Sequence, residues 1–189
     1  LLDNCRAKGA EVFEETKVTD VDFSDPARVR VTTQGQAGES CWQARFLIDA
    51  SGRDTFLANR FNSKRPHPKH ASASIYGHFE GIERLPGNDE GNITLFWFDH
   101  GWFWLIPLKN GITSVGMVCW PYYLKTRKAD LDTFFHDTVA TCPPLAMRMK
   151  DARLTRPVTA TGNYSYLSSK MTGDRCLMLG DAFAFVDPI

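Results

Sequence analysis

The segment FLIDASGRDTFLA, residues Phe46–Ala58, joins an apolar strand to a short helix through a turn of small residues. The apolar start predicts a buried strand, and the turn falls at Ala50–Gly52. We expect Asp54 or Thr55 to cap a helix that runs from Leu57 to Phe61. A strand, a glycine turn and a helix in this order form one half of a βαβ unit.

A second segment of the same kind ends the chain: CLMLGDAFAFVDPI, Cys176–Ile189. It predicts a buried strand over Cys176–Leu179, a Gly-Asp turn and the start of a helix. The carboxyl ends of strands are where α/β sheets bind ligands, and glycine lets a ligand approach the backbone. Asp49 or Asp181 alone would be read as a turn cap. The two segments together favour a nucleotide-type site.

The first third of the chain contains three further strand patterns. Alternation over Ala10–Phe23 predicts a strand with Val12, Val18 and Val21 pointing inward. ARVRVTTQ, from Ala27, predicts a second strand. CWQARFLIDASG, which begins at Cys41, predicts a third that runs on into the apolar stretch described above.

The middle of the chain is rich in strands separated by turn residues, a spacing that predicts an antiparallel meander. Asn110-Gly111 is a hairpin signal, because both positions favour positive φ. Two helices are expected to follow, Ala129–Cys142 and Pro143–Leu154, with prolines in the first turn of the second. We take the polar loop Asn62–His70 as a linker.

These patterns predict a mixed α+β and α/β chain with three parts. Residues 1–61 form part of a nucleotide-binding domain, residues 71–168 an antiparallel sheet with helices, and residues 169–189 a return to the first domain. The chain starts without methionine and stops after an apolar run, so we expect it to be a piece of a longer protein.

Composition narrows the function classes. The formal net charge is zero, which gives no basic surface for nucleic acid, and no apolar stretch approaches the length of a membrane span. The five cysteines are widely spaced and lack a C-x-x-C pair, which favours a reducing cytoplasm over disulfides or a metal site. We expect Cys41, Cys119 and Cys176 to be small core residues.

GWFWLIPL, Gly101–Leu108, carries two tryptophans one residue apart. In a strand, Trp102, Trp104 and Ile106 share one face with Leu108, and Phe103 and Leu105 take the other. On this pattern alone, core packing is the better interpretation, because buried aromatic side chains need no function to explain them.

The order of DASGR, from Asp49, and LGDAFAFVDP, from Leu179, resembles the FAD monooxygenases of the p-hydroxybenzoate hydroxylase fold. The resemblance implies a partial, Rossmann-like FAD-binding domain with an inserted antiparallel β-sheet substrate domain. The start of the chain looks like the helix and strand that lead to the adenine site. The implied cofactor-binding residues match family positions: Val18, Ala50, Ser51, Gly52, Gly180, Asp181 and Pro188. The aspartate would bind the ribityl chain of the flavin.

Trp102, Trp104, Ile106 and Pro107 spell W-x-W-x-I-P, which resembles the signature of the flavin-dependent, tryptophan-halogenase-like halogenases. The resemblance implies that this segment separates the flavin from the substrate, so that a halogenating oxidant must cross a tunnel to a lysine. NADPH-using hydroxylases carry Asp-Gly where this chain has Ser51-Gly52. The departure favours an enzyme that receives FAD reduced by a separate flavin reductase.

The implied activity is halogenation of an electron-rich small molecule, free or carrier-bound, with oxygen and chloride or bromide as co-substrates. The family's G-x-G-x-x-G and catalytic lysine would precede residue 1, so no residue of this chain is assigned a catalytic role. We therefore expect this chain alone to bind FAD weakly or not at all and to be inactive.

Two alternatives remain. One is a FAD-dependent hydroxylase or reductase of the same fold. The other is a non-enzymatic binding module whose aromatic sheet, which includes Trp97 and Trp102, would recognise a peptide or lipid.

Overall fold

The computed structural model describes residues 1–162 and 164–186. Five α-helices occur in this part of the chain: α1 Leu2–Ala7, α2 Phe56–Arg60, α3 Pro121–Leu124, α4 Leu131–Ala140 and α5 Pro143–Arg148. Its strands are β1 Lys17–Asp22, β2 Val29–Gly35, β3 Gly38–Ala44, β4 Leu47–Asp49, β5 Lys64–Pro66, β6 Ala73–Glu80, β7 Thr94–Phe98, β8 Gly101–Pro107, β9 Thr113–Cys119, β10 Arg153–Leu154, β11 Thr159–Thr161, β12 Tyr166–Ser168, β13 Thr172–Gly173, β14 Cys176–Met178 and β15 Ala184–Phe185.

The chain divides into two compact units. Unit 1 contains Leu1–Lys64 and Ser168–Ala184, and unit 2 contains Arg65–Leu167 and the residues after Ala184. The three points at which the chain passes from one unit to the other lie in or beside the short strands β5, β12 and β15.

Unit 1 contains two three-stranded sheets. The first is antiparallel in the order β1-β2-β3, and its core is made by Val21, Val29 and Val31. The second has the order β13-β14-β4, and β14 runs parallel to β4. Helix α2 contributes Leu57 and Ala58 to the core beside this second sheet.

Two strand predictions in unit 1 were wrong. The stretch from Cys41 to Gly52 is two strands in different sheets, because pairing with β2 ends at Ala44 and pairing with β14 begins at Leu47. Alternation of apolar and polar residues within one stretch cannot show where the chain leaves one sheet and joins another. The first strand begins only at Lys17, and near its start Val18 is 36% exposed, whereas Val21 is buried.

Unit 2 is built on an antiparallel sheet in the order β10-β6-β9-β8-β7, with β11 also paired to β6. Helices α4 and α5 cover one face, where Phe135 and Leu145 pack against Ile75, Phe103 and Met117 of the strands. The predicted simple meander was wrong in one respect, since β6 pairs with β9 and not with β7. The connection between β6 and β7 is long, so the two strands do not have to pair as a hairpin.

Several local predictions are confirmed. Asn110 and Gly111 both have positive φ, at 59° and 74°, in the connection between β8 and β9. Helix α5 begins with prolines in its first turn, and α4 buries Phe135 and Val139. The mixed α/β and antiparallel fold class is confirmed.

Two other local predictions were wrong. Cys41 is exposed, because its position in β3 points away from the core of that sheet, whereas Cys119 and Cys176 are buried. After β14 the chain forms a 3-10 turn, Gly180–Ala182, and then β15, so the described residues there do not begin a helix.

Candidate functional site

The turn after β4 is held by a buried carboxylate. Asp49 is 6% exposed, and its Oδ1 accepts the Ser51 N–H at 2.8 Å while its Oδ2 accepts the Leu57 N–H at 2.8 Å. The Ser51 hydroxyl oxygen accepts the Phe56 N–H at 2.9 Å. The first turn of α2 is therefore capped from Asp49 and Ser51.

Of the two predicted caps of α2, Thr55 lies at the N-cap position but does not cap through its side chain, and Asp54 was wrong. Thr55 occupies the N-cap position in the left-handed region, with φ of 49°, and makes no side-chain cap bond. Asp54 lies in the 3-10 turn Gly52–Asp54 that precedes the helix. Capping by a residue several positions upstream cannot be read from local sequence, because it depends on how the turn folds back.

The second glycine turn lies beside the first. Met178 of β14 pairs with Asp49, and the Leu179 N–H donates to the Asp49 carbonyl at 2.8 Å. The strands are parallel, so both turns lie at their carboxyl ends, which is the ligand-binding edge of an α/β sheet. Gly52 and Gly180 have φ of 62° and 54°, and a Cβ at either position would have no neighbouring atom within 4 Å.

A cavity of about 810 Å³ adjoins the first turn, within unit 1. Three of the predicted cofactor-binding residues line it: Val18, Ala50 and Ser51. Val18 lies on β1, an edge strand of its sheet, so the unpaired side of that backbone can offer peptide groups to a ligand.

The other predicted cofactor-binding residues lie elsewhere. Gly52 and Gly180 are in the adjoining turns and do not line this cavity. Asp181 is half-buried in the second turn. Pro188 lies outside the described residues.

The tryptophan motif occupies β8. Phe103 and Leu105 are fully buried in the core, whereas Trp102, Trp104 and Ile106 lie on the opposite face of the sheet. Although it lies on this face, Trp102 is largely buried, with only 9% of its surface exposed, and Trp104 and Ile106 are half-buried. The strand pattern predicted the two faces correctly, and the contributions of β8 to the helix-covered core are Phe103 and Leu105. Leu108 lies beyond the strand.

We call this side of the sheet the tryptophan face, and the register gives its other members. Residue pairs across the four strands add eight: Ser74, Tyr76 and His78 of β6, Ser114, Gly116 and Val118 of β9, and Leu95 and Trp97 of β7. The rings of Trp102 and Trp104 are 6.0 Å apart, and that of Tyr76 is 6.2 Å from Trp104. Sequence analysis missed Tyr76, Ser114 and Gly116, because only the pairing register brings them beside the motif.

A smaller cavity of about 250 Å³ lies at the hairpin end of this face, lined in part by Trp97, Trp102, His100 and Cys119. The buried Trp102 Nε1 has no hydrogen-bond partner among the described residues. Burial raises the pKa of the Cys119 thiol to about 11, so this sulfur stays protonated at neutral pH.

Residues 1–162 and 164–186 contain no group of three or more His, Cys, Asp or Glu side chains placed to hold a metal ion. Within the same ranges, no helix has the length and apolar character that crossing a bilayer requires.

The model of the tryptophan halogenase family matches residues 1–189, the whole chain. The chain belongs to the tryptophan halogenase family. It is 29% identical to the 1H-pyrrole-2-carbonyl-[peptidyl-carrier protein] chlorinase of Pseudomonas fluorescens, with all of this chain and 43% of that protein covered.

Solved structures of the same fold include the myxobacterial chondrochloren halogenase CndH, with 31% identity and a TM-score of 0.88 over all of this chain and 44% of that one. A flavoprotein/dehydrogenase from Cytophaga hutchinsonii has 28% identity and a TM-score of 0.86 over 99% of this chain and 46% of that one. The chain thus spans less than half the length of these relatives.

Proposed function

We propose that the complete protein containing this chain is a FAD-dependent halogenase. Reduced FAD, when bound, would supply the electrons that turn oxygen and chloride or bromide into a halogenating oxidant. The acceptor would be an electron-rich small molecule. The observation that carries the proposal is the W-x-W-x-I-P strand, whose tryptophans lie on the face opposite the helix-covered core in a chain that matches the family throughout.

Residues 1–61 and 169–189 are proposed to form part of the FAD-binding domain, and residues 71–168 the substrate domain. The cavity beside β1 and β4 is proposed to take the adenosine end of FAD. The edge backbone at Val18 supplies peptide groups for adenine, and the turn Ala50–Gly52 supplies small residues for close approach. The Gly180-Asp181 turn and Pro188 are assigned to the flavin side by family resemblance.

Asp49 has a supporting role in this scheme. Both of its carboxylate oxygens accept backbone N–H groups, so it shapes the turn, and it also lines the cavity. Its proposed contribution is to hold Ala50, Ser51 and Gly52 in place.

The tryptophan face is proposed to separate the flavin from the organic substrate. Trp102 and Trp104 would exclude water and keep the substrate away from the reduced cofactor, and Ile106 and Pro107 would extend the same wall. None of these side chains carries an acid, a base or a nucleophile, so their contribution is shape and exclusion of water. The catalytic lysine is proposed to lie outside this chain.

Three further assignments follow from the same proposal. FAD would be reduced by a separate flavin reductase, because Ser51 replaces the aspartate that accompanies NADPH-using hydroxylases. The proposed substrate class includes free and carrier-bound molecules, and a carrier-bound substrate is named for the chlorinase from Pseudomonas fluorescens. The proposed location is the cytoplasm, since all five cysteines are free thiols.

A second candidate is a hydroxylase or dehydrogenase of the same fold, favoured by the similarity to the Cytophaga hutchinsonii flavoprotein/dehydrogenase. The complete protein is assayed with a flavin reductase, FAD, oxygen, halide and a panel of phenols, indoles and pyrroles, free and carrier-bound. Halide-dependent halogenated product is expected. Hydroxylated product, or oxidation of NADPH by the protein without a reductase, would instead support the second candidate.

A further inference from the structure

The indole of Trp104 lies across the neighbouring strand. In the sheet, Trp104 of β8 pairs with Gly116 of β9, and Gly116 pairs in turn with Tyr76 of β6. Side chains from these three positions share the tryptophan face. The central one is a glycine, so the two aromatic side chains flank a position that has no side chain.

The space above Gly116 is filled by its neighbours. A Cβ at this position would lie 2.3 Å from Cζ2 and 2.6 Å from Cη2 of Trp104, and 2.6 Å from the Tyr76 Cβ. Carbon atoms in contact are normally about 3.5 Å or more apart, so the indole would have to move by about 1 Å or more.

The backbone at Gly116 does not itself call for glycine. Its φ lies outside the positive, left-handed region that favours this residue. The interior of a strand is also an unfavourable place for glycine, which has no side chain to pack there. The absence of a side chain is therefore explained by the room that the Trp104 indole and the Tyr76 Cβ take.

A hydrogen bond holds the same ring from a second side. The Trp104 Nε1–H donates to the Ser114 Oγ at 3.2 Å. Ser114 lies two residues before Gly116 on β9, on the same face, and is 9% exposed. Two contacts with β9 therefore fix the position of the Trp104 indole: van der Waals contact above Gly116 and the hydrogen bond to Ser114.

We propose that Gly116, together with Ser114, is a positioning residue that sets how far the Trp104 indole projects from the sheet. The inference rests on the proposed function, because it takes the tryptophan face as the wall between flavin and substrate. A side chain at position 116 lifts the indole off β9 and changes the shape of that wall. More of the oxygen that is reduced at the expense of reduced FAD would then be released as hydrogen peroxide, and less halogenated product would form per reduced FAD consumed.

The experiment compares Gly116→Ala and Ser114→Ala with the wild type in the complete protein. The control is Gly77→Ala, on β6 of the same sheet. Its Cβ would lie 2.8 Å from the Leu154 Cδ1 on the helix-covered side, so it crowds the sheet without touching the tryptophan face.

Two measurements are made on each variant. The first is the ¹⁹F NMR resonance of Trp104 in protein labelled with 5-fluorotryptophan, assigned by its loss in Trp104→Phe and recorded without substrate. The second is the yield of halogenated product and of hydrogen peroxide per reduced FAD consumed.

Gly116→Ala is expected to shift the Trp104 resonance and to lower the product yield by about tenfold or more, the scale of effect that a displacement of about 1 Å produces. Peroxide should rise correspondingly. Ser114→Ala should act in the same direction to a smaller extent, and Gly77→Ala should change neither measurement.

The inference is overturned by an unshifted Trp104 resonance in Gly116→Ala, or by a shifted resonance with an unchanged product yield. If Gly116→Ala does not fold, Ser114→Ala is judged by the same two outcomes. A wild type that makes no halogenated product refutes the proposed function instead. In that event the resonance alone decides whether Gly116 seats the indole.

Discussion

Replacing Asp49 by alanine should destabilise unit 1 at the turn that leads into α2. The substitution removes both acceptors of the Ser51 and Leu57 N–H groups. Leu57 is fully buried, so its N–H has no access to water once the carboxylate is gone, whereas Ser51 is exposed and its N–H can be hydrated in part.

The expected cost follows from these two environments. A buried donor left without a partner costs about 1–3 kcal/mol, and the partly hydrated one costs less. We therefore expect the free energy of unfolding to fall by about 2–4 kcal/mol, more than the roughly 0.5–2 kcal/mol for loss of a helix cap, because a buried donor is also left without a partner. For a chain of this size, that corresponds to a decrease in Tm of about 4–16 °C.

Asp49→Asn separates the two bonds. An amide retains one oxygen for the Ser51 N–H but presents an NH₂ group to the Leu57 N–H, so we expect a loss between that of the alanine variant and zero. Asp54→Ala is the matched control, because Asp54 is exposed in the same turn and its substitution should change stability by no more than about 0.5 kcal/mol.

Chemical denaturation followed by circular dichroism measures the free energy, and hydrogen exchange measures the protection of the Leu57 amide. Both should decrease in Asp49→Ala. If Asp49→Ala is as stable as Asp54→Ala, or if the Leu57 amide keeps its wild-type protection, the carboxylate does not hold this turn and the reasoning fails.

Three further predictions concern unit 2. Thr113→Val should raise the free energy of unfolding by about 1 kcal/mol in denaturant titrations, because the fully buried Thr113 hydroxyl has no hydrogen-bond partner among the described residues. A decrease of about 1 kcal/mol or more would contradict this. The pKa of Asp130 is lowered because its carboxylate accepts the Thr133 N–H and hydroxyl, so its stabilising effect is present above the ordinary value of 3.8 and is lost as the pH falls through the lowered value. Asp130→Asn should therefore flatten the dependence of unfolding free energy on pH in acid, and an unchanged slope would refute the assignment. Burial raises the pKa of the Cys119 thiol to about 11, so a thiol reagent in mildly alkaline buffer should leave Cys119 unlabelled in the native protein while the exposed Cys5 reacts. Mass spectrometry of peptides measures the labelling of each cysteine. Labelling of both at equal rates would count against the burial of Cys119.

The local features of this chain followed from its sequence. Alternation placed Trp102 and Trp104 on one face of β8 and Phe103 and Leu105 on the other, because successive side chains of a strand point to opposite sides. The sequence Asn110-Gly111 predicted positive φ at both residues, and both have it. The motifs around Gly52 and Gly180, together with the tryptophan motif of β8, indicated the family.

Which residues these local features contact elsewhere in the chain was decided by the tertiary structure. Asp49 caps α2 from eight residues away, β6 pairs with β9 across the long connection, and Gly116 makes room for Trp104 on the next strand. Each depends on which segments lie side by side and in which register. Periodicity shows which side of a strand a residue occupies but carries no information about its neighbour across the sheet, and that neighbour exists only once the chain has folded.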